Sequence, residues 1–188
     1  MLPDIRAVIA AIVTAVGLLT ISFGMVAGGR FSSTLIPNST NGWDPVLALA
    51  PGNDAYLVWN RSYHGIGCAG PGDQPEDGTY FATNAGGTWV SSRLTPQVGG
   101  ASLSIDPATG EVNVLVISGG PDGARLIRFH RAPDATTWKH ETVVQGPVGS
   151  PVIRANPKTG ALFVAYTIEV FDPDSDISET HVEVIASH

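Results

Sequence analysis

The sequence predicts an all-β chain assembled from repeated antiparallel sheet units behind one N-terminal apolar segment. Three observations predict it. The 188 residues include 22 Gly and 14 Pro, with 43% apolar and only 14% charged side chains. That mix is too apolar for disorder and too rich in turn formers for a helical bundle. It suits many short strands separated by tight turns. A strand–turn–strand pattern also recurs around Pro51, Pro107 and Pro157, a spacing of about fifty residues, in the range of sheet repeats. Finally, Leu103 and Ile105 alternate with Ser102, Ser104 and Asp106, the two-residue period of a half-buried strand.

Residues 7–28 carry no charge. A helix of about 20 apolar residues spans a hydrocarbon core, so this stretch is long enough for a transmembrane helix. Arg6 and Arg30 flank it on both sides and orient it weakly. It fits an uncleaved signal anchor. It also fits a cleaved signal peptide, with small residues at Val26-Ala27-Gly28. Both readings place the remainder outside the cytoplasm and confine membrane contact to residues 7–28. The expected division is a signal or anchor helix over 1–30, a polar linker over 31–43 and a β domain over 44–188.

Within the β domain three segments align: Val46 to Trp59, Ser102 to Ser118 and Val152 to Ile168. Each reads as a strand, a proline turn and a longer strand. The turns Asp106-Pro107-Ala108-Thr109-Gly110 and Asn156-Pro157-Lys158-Thr159-Gly160 open on Asp or Asn. They preset φ with Pro and close on a Gly in the left-handed region. A third strand follows at Thr79–Thr83, Ala124–Phe129 and His181–Ala186. Trp89 and Trp138 open a fourth strand in the first two units.

The stretch Ala82-Thr83-Asn84-Ala85-Gly86-Gly87-Thr88-Trp89 resembles the Asp-box, or bacterial neuraminidase (BNR) repeat, of sialidase-like β-propellers, whose pattern is Ser-x-Asp-x-Gly-x-Thr-Trp. Gly86, Thr88 and Trp89 match; Ala82 replaces the Ser and Asn84 the Asp. Arg131 to Trp138 looks like a decayed second copy that keeps Thr137 and Trp138. The resemblance covers about 44–188. It implies a partial β-propeller of four-stranded antiparallel blades, the third incomplete, with Asn84, Gly86, Thr88, Trp89 and Trp138 as structural turn residues. Val184–His188 aligns with Tyr80–Asn84, so a third box and a fourth strand are expected to follow. The expectation is a piece of a longer protein, or a chain that associates with itself or others.

Composition excludes a nucleic-acid binder. The net charge is −7, and no Lys or Arg follows Lys158, so no basic stripe exists to displace counterions from phosphates. Sialidases of the resembled family use an arginine triad introduced by an Arg-Ile-Pro motif. That motif is absent, and none of Arg61, Arg93, Arg125, Arg128, Arg131 and Arg154 can be assigned to the triad. Arg125 and Arg128 are expected on the solvent side of a strand. Asp73, Glu76 and Asp77 lie in a long loop as candidate carboxylates. Asp172, Asp174 and Asp176 form an acidic run with spacing suited to calcium; no cofactor is otherwise expected. The single cysteine, Cys68, excludes an internal disulfide. The five histidines lack zinc-ligand spacing. Asn38-Ser39-Thr40 and Asn60-Arg61-Ser62 fit glycosylation sequons. The function expected is extracellular glycan or protein recognition, or scaffolding. The alternatives are the N-terminal part of a sialidase-like glycoside hydrolase and a subunit of an extracellular assembly.

Overall fold

The computed structural model describes residues 32–63, 70–71, 74–119, 123–172 and 177–187, with side-chain environments omitted at 70–71, 171–172 and 177–178. The apolar segment 7–28, Cys68, His64, His188, Asp73, Asp174 and Asp176 lie outside them. Every regular element among the described residues is a β-strand.

Three antiparallel sheets follow one another along the chain. The first holds β1 (Gly42–Leu49), β2 (Ala55–Arg61), β4 (Gly78–Thr83) and β5 (Val90–Thr95), in that spatial order. The second holds β7 (Ala101–Ile105), β8 (Val112–Ser118), β9 (Arg125–Arg131) and β10 (Lys139–Gln145), again in chain order. The third holds β11 (Val148–Ala155), β12 (Leu162–Asp172) and β13 (Ile177–Ala186). Two short strands, β3 (Gly70–Pro71) and β6 (Gln97–Val98), pair with each other next to β4 of the first sheet and β8 of the second. The four-stranded antiparallel unit read from the sequence is therefore present in the first two sheets.

The turns form as their residues dictate. Gly110 and Gly160 take φ of +73° and +75°. Their amides donate to the Asp106 and Asn156 carbonyls at 2.7 and 2.9 Å. The Asp106 carboxylate accepts the Ala108 amide at 2.9 Å and the Thr109 hydroxyl at 2.7 Å. These bonds, the Thr109 hydroxyl first, hold its pKa below the ordinary aspartate range. A second repeated device joins the first strands of the outer sheets. Asp44 and Ser150 have positive φ, each precedes a proline, and each marks a register shift in its strand.

The sheets stack face to face. Tyr56, Val58 and Phe81 of the first sheet bury against Leu103, Ile105, Val112, Val114 and Phe129 of the second. The opposite face of the second sheet buries Leu115, Ile117 and Leu126 against Ile153, Val164 and Tyr166 of the third. Strand β7 lies between β1 and β11 and is buried along its whole length. Its alternation is therefore not core against water, as the period predicts. Leu103 and Ile105 face the first sheet, and Ser102 and Ser104 face the third. The two serine hydroxyls accept the Ile153 and Ala155 amides of β11 at 3.1 and 3.0 Å.

The free face of the first sheet carries Trp59, stacked on Tyr80 at 5.6 Å, with Ile36 and Trp89 packed against the pair. Ile36–Asn41, inside the stretch expected to be a linker, folds onto this side. The Ser91 hydroxyl donates to the Pro37 carbonyl at 2.7 Å, and the Asn38 side-chain amide donates to Ser91 at 3.0 Å. A Cβ on Gly42 would sit 2.9 Å from the Trp59 ring, so only glycine fits that approach.

Substituting both Ser102 and Ser104 by alanine strands two amides between sheets, at a cost of about 1–3 kcal/mol each; urea unfolding checks this. Asp106 contributes stability above the ordinary aspartate range, and that contribution is lost as pH falls through its lowered folded value. Because Asp106 is only half-buried and its bonds are screened by solvent, the gap between wild type and Asp106→Asn is about 0.5 kcal/mol or less at neutral pH. Thermal melts of the two should converge in acid.

Candidate functional site

The Asp-box-like segment forms the hairpin between β4 and β5. Asn84 does not spend its side chain on the turn. Its Oδ1 accepts the Ala55 amide of β2 at 2.6 Å, while the Asn84 amide donates back to the Ala55 carbonyl at 3.1 Å. The turn itself closes through the Gly87 amide on the Asn84 carbonyl at 2.7 Å, with Gly87 at φ +83°. Gly86 has open space around it. Thr88 is exposed, and Trp89 is half-buried on the free face of the first sheet. In the third sheet Ser187 repeats the reciprocal pair with Leu162: its hydroxyl accepts the Leu162 amide and its amide donates to the Leu162 carbonyl, both at 2.9 Å. Ser187, not His188, thus stands at the Asn84 position, one residue from the alignment read in the sequence.

Trp138 lies in the corresponding hairpin of the second sheet but in a different environment from Trp89. It packs edge-on against Phe81 of the first sheet, with ring centres 5.0 Å apart. The Arg131 guanidinium covers both rings, 4.7 Å from Trp138 and 5.2 Å from Phe81. Tyr56 closes the inner side, 6.0 Å from Phe81. This is an aromatic notch between the first two sheets, with a cation held over π faces. Desolvation lowers the Arg131 pKa and the nearby Tyr56 opposes the shift; an arginine keeps its charge regardless.

A second cluster lies on the face of the second sheet that carries Leu115 into the core shared with the third. Arg128 pairs directly with Leu115 across the strands. Its Nε donates to Asn113 Oδ1 at 2.8 Å. Its two terminal nitrogens donate to Glu111 and Glu141, both at 2.7 Å. His130 Nδ1 stands 3.2 Å from the same Glu111 oxygen. Asn113 is buried, Arg128 is 18% exposed, and Glu111 and Glu141 are 32% and 54% exposed. The expectation that Arg128 sits on the solvent side is corrected here. Its strand has a sheet on each side, so neither face is a plain solvent face. The arrangement offers an oriented donor fork between two acceptors. Each carboxylate uses one oxygen on Arg128, and a carboxylate has about four lone-pair sites.

The loop carboxylates take other roles. Asp77 is buried and accepts the Tyr63 and Gln74 amides, both at 3.1 Å, so it pins the loop. Glu76 is half-exposed, 3.8 Å from Arg61. Its carbonyl accepts the Tyr80 hydroxyl at 2.6 Å. Asp172 ends β12, and its partners in the acidic run, Asp174 and Asp176, are outside the described residues. Asn60 is fully buried and donates to the Gly99 carbonyl at 2.6 Å, which removes the second sequon from reach in the folded chain. Asn38 stays exposed. The Arg128 cluster was not legible as a site in sequence, because Glu111, Asn113, Arg128, His130 and Glu141 come from three strands and a turn. The sequence signal was limited to a strand, Arg125–Arg131, that mixes basic and apolar residues.

No protein-family model and no curated protein matches the chain. Among solved structures it is similar to a fucose lectin from Kordia zhangzhouensis in complex with methyl-fucoside, at 15% identity and a TM-score of 0.43. The match covers 77% of this chain and 97% of the lectin. A likeness of that degree carries nothing about ligand or activity.

Asn84→Ala removes the acceptor of the half-buried Ala55 amide. It should lower stability by about 1 kcal/mol, read as a lower urea midpoint with an unchanged slope.

Proposed function

We propose that the chain is a carbohydrate-recognition module. Its stacked sheets are consecutive blades of a β-propeller of the Asp-box, sialidase-like kind, and sugars bind in the notches between blades. The apolar segment 7–28 exports or anchors it outside the cytoplasm. The observation that carries the reading is Arg128, set between Glu111 and Glu141 with His130 alongside and partly open to solvent. Sugar hydroxyls donate and accept at once. A guanidinium beside carboxylates supplies both partners, and charged hydrogen bonds are worth about 1.5–3 kcal/mol. The half-buried Trp138 in the neighbouring notch offers the apolar surface that carbohydrate sites combine with a few placed polar groups. The blade reading is supported by three consecutive antiparallel sheets stacked on one another, with their first strands β1, β7 and β11 side by side.

A glycan array probed with the full chain tests this. Retention of particular glycans is expected, and Arg128→Ala and Glu141→Gln should each weaken it about 10- to 100-fold. Failure to retain any glycan, or retention indifferent to both substitutions in folded protein, would overturn the assignment.

A further inference from the structure

The outermost faces of the three-sheet stack reproduce the two halves of an interface the chain already makes. Between the first and second sheets, one half is the cross-strand row Val46, Val58 and Phe81 with Tyr56 beside it. The other half is the row Leu103, Val114 and Phe129 with Ile105 beside it. Strand pairing puts Val152, Ala165 and Val184, with Phe163 beside them, at the first set of positions on the outer face of the third sheet. It puts Leu47, Leu57 and Ala82, with Leu49 beside them, at the second set on the outer face of the first sheet.

Leu47, Leu49, Val152, Phe163 and Val184 are exposed at the ends of the stack, whereas Ala82 is buried and Leu57 and Ala165 are half-buried. Leu103 and Ile105 are 2% and 8% exposed, while Leu47 and Leu49 are 59% and 63% exposed. Phe81 is 2% exposed and its counterpart Val184 is 63% exposed. Ile36 and Trp89 cover Trp59 on the first sheet but leave these leucines open.

From this we infer that a second copy of the chain is the partner. The outer face of the third sheet in each copy stacks on the outer face of the first sheet in the other, continuing the interface already built between the first and second sheets. The contact is head to tail, since the two faces are different surfaces, and such contacts generate a ring when the rotation closes. The inference rests on the blade reading above, which also sets the number of copies. Propellers close with about 4–8 blades. The three stacked sheets of the described residues, taken twice, make six.

Sedimentation equilibrium of the full chain in density-matched detergent, without sugar, tests this separately from glycan binding. A dimer mass is expected at micromolar concentration. Leu47→Glu and Val184→Glu each damage both junctions of the ring and should each give monomers. Mixing the two variants restores one undamaged junction and should recover a dimer weaker than wild type. Both positions are exposed, and circular dichroism is the check that each variant is folded; Leu49→Glu and Val182→Glu serve as second choices. A monomeric wild type, a dimer that resists either substitution, or an open-ended series of larger species would overturn the inference.

Discussion

Strand β8 of the second sheet buries apolar side chains on both of its faces, and the rest of the structure depends on that. A strand with Val112, Val114 and Val116 on one side and Leu115 and Ile117 on the other has no face to give to water. Each fully buried aliphatic side chain favours burial by about 1.5–3 kcal/mol, so a layer on each side is required. The first and third sheets are those layers, and their stacking fixes where every notch between sheets falls.

Burial on both sides changes what polar residues do. A serine in a half-solvated strand would face water. Ser102 and Ser104 face a neighbouring sheet, where their hydroxyls bind the amides of β11. The same constraint acts on Arg128. Held on a strand within the stack, its guanidinium is surrounded by Asn113, Glu111 and Glu141 because a buried charge without partners is costly. Toward the edge of the strands the burial relaxes, and Glu141 is 54% exposed. The two notches are chemically distinct. Arg131 covers aromatic rings in one, and Arg128 is bracketed by carboxylates in the other.

The hairpins show how a repeat survives a change of residue type. Asn84 and Ser187 make the same reciprocal bond to the start of the second strand, to Ala55 and Leu162. The requirement at that position is an acceptor for one amide, which an amide oxygen and a hydroxyl both satisfy. The bond therefore persists while the residue type changes. The Trp positions are different. Trp89 and Trp138 occupy related places in their hairpins but join different clusters, since one meets a neighbouring sheet and the other meets Ile36.

Local chemistry was legible in the sequence. Gly110 and Gly160 sit in the left-handed region, as a Pro-turn closed by Gly requires, and the four-stranded antiparallel unit follows from turn spacing and strand length. These features depend on a few consecutive residues, and the physics that fixes them is short-ranged. The tertiary structure alone decided which face of each strand meets which neighbour. Period-two alternation states that a strand has two faces but not what covers them, so Ser102, Ser104 and Arg128 read as solvent-facing until the third sheet was in place. The Arg128 cluster is likewise tertiary: Glu111, Asn113, Arg128, His130 and Glu141 converge through cross-strand register, and register is set by packing across the whole stack rather than by any local run of residues.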